Sequence, residues 1–300
     1  MQKILITGCS GFIGRHLAEK LARTGYKIVG LDKNIPEKPI KNKRFRLIKE
    51  DITAGKNLEK IMQAVDGIVH LAAISRVSTC LNNPSSCLKI NIRGTANVLE
   101  AAKKSKRNIW VILASTTELC RHHAATNLYA STKLISELLT RKYAEDYGRR
   151  SLVIRLATVF GSNRDINEKV MPTLIRQALK NKDIYLKDNS TLFDFIHVDD
   201  ITKGIEKAIK YLEKKKAPHY DNLTLSSGRS VDLKTLAKLI VKQTGSTSSI
   251  LMKPEPRVKL MKKTRLDTKK AKHLLNFKAG IGLEEGIRKT SKLYRKNKLK

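Results

Sequence analysis

Residues 7–14 read Thr7-Gly8-Cys9-Ser10-Gly11-Phe12-Ile13-Gly14, and this stretch decides the fold. Ahead of it, Lys3–Thr7 (KILIT) is a short apolar run of strand character. Behind it, Ser10–Arg23 has helical spacing, with Ile13, Leu17 and Leu21 four apart and Ala18 and Ala22 beside them. Glycines between a strand and a helix meet three needs: a sharp turn, close approach of backbone to a pyrophosphate, and tight packing of the helix on the sheet. The start of the helix presents backbone N–H groups and the positive end of its dipole to the phosphates.

Working outward, Lys27–Leu31 is a second strand and ends beside Asp32. A carboxylate there binds both hydroxyls of a ribose and repels a 2′-phosphate, which favours NAD over NADP. Lys33, next to it, works against that preference. Further strands are predicted at Arg44–Lys49, Gly67–Leu71, Ile109–Ser115 and Leu152–Leu156, with helices over Pro84–Lys104 and about Ala130–Tyr147. The strands are continuously apolar and alternate with helices, as in a parallel sheet covered on both faces. The expected class is α/β, a Rossmann-type doubly wound parallel sheet with a smaller C-terminal α/β substrate domain. The alternation loosens beyond Gly161. We expect a nucleotide-binding domain over 1–160 and a substrate-binding region over 161–300, with 191–210 a candidate to pack back onto the first.

The 300 residues include 61 basic and 27 acidic side chains, a formal net charge of +34. Basic surface gains affinity for polyanions by releasing counterions. Here the charge is spread over both halves rather than gathered on one element, so we expect a solvated Lys-rich surface and no specific nucleic-acid partner. With 41% hydrophobic residues the chain has material for a core, and no apolar run reaches the roughly 20 residues that span a bilayer. No signal peptide is expected ahead of the first strand, and the expected compartment is the cytoplasm. Cys9, Cys80, Cys87 and Cys120 form no CxxC pair and are expected to be free thiols. No metal site is expected; His122 and His123 are a loop pair without further ligands.

Tyr129 and Lys133 stand four apart, on one face of the predicted helix. An adjacent ammonium favours the phenolate and is expected to lower the Tyr129 pKa toward that of a useful base. Tyr211/Lys215 and Tyr294/Lys298 repeat the spacing, so position must select among the three. Only the first pair follows the fifth strand, whose end carries Ser115, Thr116 and Thr117, and the carboxyl ends of parallel strands face the ligand crevice.

Together these motifs resemble the extended short-chain dehydrogenase/reductases, specifically the NAD-dependent nucleotide-sugar epimerase/dehydratase group. TGCSGFIG (7–14) resembles its glycine loop, and Glu50-Asp51-Ile52-Thr53 its adenine-side loop. His70-Leu71-Ala72-Ala73 is similar to the strand end lining the pyrophosphate, and NIRGTANVLEAA (91–102) to the helix whose Asn supports the cofactor site. ASTTELC (114–120), Tyr129–Lys133, DFIHVDD (194–200), LDTKKAKHLLNF (266–277) and LEEGI (283–287) follow in the family's order. The resemblance implies a bound NAD held by Gly8, Gly11, Phe12, Ile13, Gly14 and Asp32. It adds Asp51, Ile52, Leu71, Ala72, Ala73, Asn91, Tyr129 and Lys133 to that set. It implies a nucleotide-sugar substrate touching Thr116, Thr158 and Arg257, and a homodimer built on the helices near Pro84–Lys104 and Tyr129–Tyr147. In the implied mechanism Tyr129 takes the proton of the sugar C4 hydroxyl, Lys133 lowers its pKa, Thr116 bonds the same hydroxyl, and a 4-keto sugar forms.

The expected reaction is C4 epimerisation of a UDP-sugar. In that family pattern Thr158 lies where many epimerases have a substrate-contacting Asn and UDP-glucuronate epimerases have Thr. The alternative is a 4,6-dehydratase or UDP-glucuronate decarboxylase using Glu118 as acid/base. A reading of another class is a catalytically weak NAD-binding scaffold. Two departures from the family pattern motivate it. Twelve residues (117–128) separate Thr116 from Tyr129, about half the family's usual number, and Cys120-Arg121 replaces Tyr-Gly there. Phe193 stands where the family's phosphate-clamping Arg precedes Asp-Phe-Ile-His. Arg164, Lys187 and Arg121 are the candidate substitutes.

Overall fold

The apolar runs form parallel strands. In the computed structural model, which describes residues 1–55, 57–120, 127–186, 192–253 and 266–296, the first six are β1 (Lys3–Thr7), β2 (Lys27–Asp32), β3 (Phe45–Lys49), β4 (Gly67–His70), β5 (Trp110–Thr116) and β6 (Arg150–Leu156). Helices α1 (Phe12–Arg23), α2 (Leu58–Met62), α3 (Val77–Asn82), α4 (Pro84–Leu88), α5 (Gly94–Lys104) and α6 (Leu128–Asp146) alternate with them. The later strands are β7 (Thr158–Phe160), β8 (Ile184–Leu186), β9 (Leu192–His197), β10 (His219–Leu225), β11 (Ser230–Asp232) and β12 (Ile250–Met252). The later helices are α7 (Val170–Leu179), α8 (Val198–Glu213), α9 (Leu233–Thr244), α10 (Lys269–Leu275) and α11 (Leu283–Lys296).

The chain divides into two compact units. The first comprises Met1–Leu156, Thr202–Thr224 and Lys270–Phe277. Its sheet has the order β10-β6-β5-β4-β1-β2-β3, and β1 pairs in parallel with both β2 and β4. The chain runs outward one way through β2 and β3 and the other way through β4, β5 and β6. The strand order therefore reverses between β1 and β4, where α/β sheets bind ligands outside their carboxyl ends. One face is closed by a core that includes Leu5, Val29, Leu31, Ile68, Val98 and Val111. The strand β10 is absent from the sequence reading. Its HYDNLTL lacks the apolar continuity of the others, and its burial rises only toward Leu225.

The second unit comprises Ala157–Ile201, Leu225–Lys269 and Lys278–Lys300. It holds a three-stranded sheet, β11-β9-β7, and the pair β12-β8. Phe160, Ile175, Phe195, Ile240 and Ile287 lie in its core.

Two expectations are corrected here. Pro84–Lys104 is not one α-helix, because a π turn at Lys89–Arg93 separates α4 from α5. The four cysteines are not all free thiols. The bend at Asn83-Pro84 between α3 and α4 brings the Cα atoms of Cys80 and Cys87 to 5.2 Å, and the pair is a disulfide; Cys9 and Cys120 are free. Among the described residues, no helix is long and apolar enough to cross a membrane.

Candidate active site

The glycine loop is set by backbone contacts. Gly8 has a φ of 70°, and the N–H groups of Gly8 and Cys9 donate to the Leu31 carbonyl at 2.9 and 3.3 Å. A Cβ at Gly8 would stand 2.7 Å from the Ala72 nitrogen, and one at Gly14 2.2 Å from the Gly8 carbonyl oxygen. Neither position has room for a side chain, so β1, β4 and α1 close up around the loop. Gly11 is the N-cap of α1 and brings no side chain to cap it, and the first turn has no acidic residue. That helix start suits an anionic ligand. Phe12 and Ile13, its first residues, are half-buried. Cys9 is buried, its thiol pushed up to about 12 mainly by burial, so it is a filler rather than a nucleophile.

Asp32, at the end of β2, accepts from the N–H groups of Ser10 at 2.9 Å and Asn34 at 3.0 Å. Both oxygens are thereby aimed from the strand end. Asp51 accepts from the Thr53 N–H at 2.8 Å, and that bond leads in holding its carboxyl below the usual range. Ile52 is buried in the core, whereas Leu71, Ala72 and Ala73 are half-buried beyond β4. A backbone cradle that side chains would fill, a helix start and an acid at the end of β2 fit a dinucleotide. In that fit Gly8, Gly11 and Gly14 would hold its pyrophosphate and Asp32 a ribose.

Thr116 ends β5, and Tyr129 and Lys133 lie in the first turns of α6. The cap that starts α6 is Asn127, whose side chain accepts from the Ala130 N–H at 2.9 Å. The Thr116 hydroxyl lies next to the Tyr129 phenol and draws its pKa down. It also accepts from the Glu118 N–H at 3.1 Å, which keeps Glu118 beside the pair. The expectation that Lys133 lowers the Tyr129 pKa is not met. Burial pushes the phenol up to about 12, Thr116 opposes this, and the Glu118 charge adds to it. Burial instead moves Lys133 down to about 8, opposed by Glu137.

Asn91 lies in the π turn, fully enclosed. Its Oδ1 accepts from the Ile74 N–H at 2.8 Å, and its Nδ2 donates to the Ile74 carbonyl at 3.0 Å and to Thr132 Oγ1 at 2.9 Å. One amide thus ties the segment after β4 to the helix that carries Tyr129 and Lys133. Single π turns often mark functional sites.

Sequence reasoning missed Glu137, one turn beyond Lys133. Buried Glu137 accepts from Arg155 Nε at 2.9 Å, Arg155 Nη2 at 2.7 Å and Ser115 Oγ at 2.5 Å. The group joins the ends of β5 and β6 to α6. Its signals were legible: a carboxylate four residues after Lys133, and a lone Arg inside the apolar run Leu152–Leu156. The decoy pair Tyr211/Lys215 is a cation–π contact of 4.6 Å, and Tyr294 is a core residue.

In the second unit Thr158 is exposed on β7. Phe193 stacks on Phe195 with ring centroids 5.7 Å apart, so the position is used for packing. Arg164 is exposed. Arg257, Arg121, Lys187, His122 and His123 lie outside the described residues. Among the described residues, no group of three or more His, Cys, Asp or Glu could hold a metal ion.

The family model for the NAD dependent epimerase/dehydratase family matches residues 4–223. The chain belongs to this family. Its glycine loop, Asp32 and the Thr116–Tyr129–Lys133 group all fall inside the match. Over 99% of its length the chain is 31% identical to an Arabidopsis thaliana trifunctional enzyme. That protein is named UDP-glucose 4,6-dehydratase, UDP-4-keto-6-deoxy-D-glucose 3,5-epimerase and UDP-4-keto-L-rhamnose-reductase, and 48% of it is covered. The chain therefore spans about half the length of that relative. It is 28% identical to a UDP-glucuronate 4-epimerase of Thermodesulfobacterium geofontis, covering 95% of this chain and 94% of that one. Among solved structures it is similar to UDP-glucuronic acid 4-epimerase from Bacillus cereus in complex with UDP-glucuronic acid and NAD. That match has TM-score 0.83 and 28% identity, and covers 98% of this chain and 99% of the other.

Proposed function

We propose that this chain is an NAD-dependent 4-epimerase of a UDP-sugar. The observation that carries the reading is the placing of Thr116 at the carboxyl end of β5 with Tyr129 and Lys133 in the first turns of α6. When bound, NAD supplies the hydride acceptor and donor. Tyr129 takes the proton of the C4 hydroxyl and returns it after the ketone has turned. Thr116 orients that hydroxyl and stabilises the phenolate. Lys133 would hold the nicotinamide ribose. Thr158 and Arg257 are the candidates for substrate recognition. The likeness to 4-epimerases of near-equal length supports this choice over the trifunctional relative.

The test is incubation of the purified chain with a panel of UDP-sugars, beside Tyr129→Phe. Interconversion of a C4 epimer pair, lowered about 10²- to 10⁴-fold in the variant, is expected. A chain that releases no NAD(H) on denaturation and alters no nucleotide sugar would refute the reading. Glu118 motivates a second one, because its charge reaches Tyr129. Accumulation of a 4-keto product, or CO₂ release from UDP-glucuronate, would select that lyase chemistry. An unchanged cellular phenotype in Tyr129→Phe would select the scaffold reading.

The active form is a homodimer in this proposal. Leu81, Leu88, Ile135 and Leu138 are exposed on α3, α4 and α6, at 61, 43, 39 and 54%. An apolar set of that kind fits a helix-to-helix interface.

A further inference from the structure

Four buried polar side chains and the main-chain carbonyl of Asn91 run from the glycine loop to α6. Thr7 Oγ1 and His70 Nδ1 are 2.6 Å apart, and His70 Nε2 is 3.0 Å from Thr95 Oγ1. Thr95 donates to the Asn91 carbonyl at 2.6 Å, and Ser136 of α6 donates to the same carbonyl at 2.9 Å. Thr7, His70, Thr95, Asn91 and Ser136 are all buried.

Proton counting fixes the direction of the chain. The one proton of Thr95 goes to the Asn91 carbonyl, so Thr95 accepts from His70 and Nε2 carries the ring proton. Nδ1 is then an acceptor and Thr7 donates to it. The Thr7 oxygen stays open to the Ala72 N–H, 3.3 Å away. Every donor has an acceptor only while the ring is neutral and protonated at Nε2. Burial, helped by the Lys133 charge, moves His70 down to about 3, which keeps it neutral.

We infer that His70 is a positioning residue. Its imidazole bridges the carboxyl end of β1 to the catalytic helix α6, through Thr95 and the carbonyl of Asn91, and so sets Tyr129 and Lys133 in register with the glycine loop. The inference rests on the reading of Tyr129 and Lys133 as the reacting pair. β1 and β4 hold Thr7 and His70 side by side in the sheet, so the near end is rigid. At the far end the π turn widens the helical ladder at Asn91, where side-chain hydroxyls meet the carbonyl. An ångström of displacement of a reacting group is worth up to about a hundredfold in rate.

Two variants cut the bridge at opposite ends. In His70→Asn the carboxamide oxygen lies near the Nδ1 place and keeps Thr7 but loses Thr95. In His70→Gln the longer side chain reaches the Nε2 place and keeps Thr95 but loses Thr7. In the full chain, His70→Asn is expected to lower kcat tenfold or more with KM for the sugar changed about twofold or less. His70→Gln is expected to rescue most of kcat while releasing NAD more readily. Amide exchange over Tyr129–Lys133 is expected to speed up in the Asn variant and to stay at the wild-type rate in the Gln variant. A ¹⁵N-imidazole spectrum should show one Nε2–H ring, missing from both variants, that does not titrate between about pH 5 and 8. Equal kcat and equal exchange in all three proteins, or a His70 ring titrating near its usual 6.5, overturns the inference. A wild-type chain that turns over no nucleotide sugar refutes the proposed function instead, and the exchange and ¹⁵N measurements then still decide the role of His70.

Discussion

Gly14 and Tyr129 show how differently two residues of one site are constrained. Gly14 is fixed by sterics: the Cβ of Gly14→Ala would meet a backbone oxygen at 2.2 Å, and a backbone cannot swing aside as a side chain does. That variant is expected to lose about 1–3 kcal/mol of stability and to lose bound NAD, read by urea unfolding and by absorbance of the released cofactor. Tyr129 is limited by electrostatics. Burial pushes its phenol up to about 12, so its proposed use as a base depends on Thr116, which opposes that rise. Thr116→Val is expected to shift the rising limb of the pH–rate profile to higher pH and to reduce kcat about tenfold or more. Lys133 carries a pH signature of its own. Its folded value near 8 lies below the unfolded 10.5, so between them the unfolded chain holds the extra proton. The ligand-free chain should gain stability as pH rises from 8 to 10.5, by at most about 1.4 kcal/mol per unit, and Lys133→Met should abolish that gain.

At the scale of elements, α6 is held at three places. Asn91 fixes its start through Thr132, Ser136 meets the Asn91 carbonyl, and Glu137 locks it to β5 and β6. The last tie is a buried carboxylate with a two-pronged guanidinium. Removing one partner leaves the other charge without compensation, which costs more than the pair itself contributes. Arg155→Ala is expected to destabilise the chain by about 2–4 kcal/mol. The double variant Glu137→Leu with Arg155→Leu should be markedly closer to wild type in thermal unfolding. If the single and double variants are equally destabilised, Glu137 and Arg155 are not coupled.

The net charge of +34 is a property of the whole molecule. Like charges on one folded chain repel, and salt screens them over about 10 Å at 0.1 M. Raising NaCl from about 20 to 300 mM should therefore raise the melting temperature, while capture of the proposed dianionic nucleotide sugar should slow. His70 adds a limit on the acid side. Its folded value near 3 lies below the usual 6.5, so between them only the unfolded chain takes up that proton. Stability is expected to fall as pH drops below 6.5, by up to about 1.4 kcal/mol per unit from this one ring. The pH-6.5-to-4 slope of the unfolding free energy should be smaller in His70→Gln than in wild type.

The sequence by itself determined the class of fold. Lys3–Thr7, the loop of Gly8, Gly11 and Gly14, and the spacing of α1 are local, and local periodicity and turn sterics suffice to read them. The same holds for Asp32 and for Tyr129–Lys133, whose spacing on one helix face needs no tertiary knowledge. What only the tertiary structure decided involves groups far apart in the chain. The strand β10 joins the sheet without an apolar run of its own. The π turn at Lys89–Arg93 exists where Asn91 reaches Ile74 and Thr132, 17 and 41 residues away. The partners of Glu137 lie 22 and 18 residues from it, and His70 meets Thr7 across 63. The pKa order of Tyr129 and Lys133 inverted the expectation for the same reason. Spacing fixes who is adjacent, but burial sets the charge each group will carry, and burial is a property of the fold.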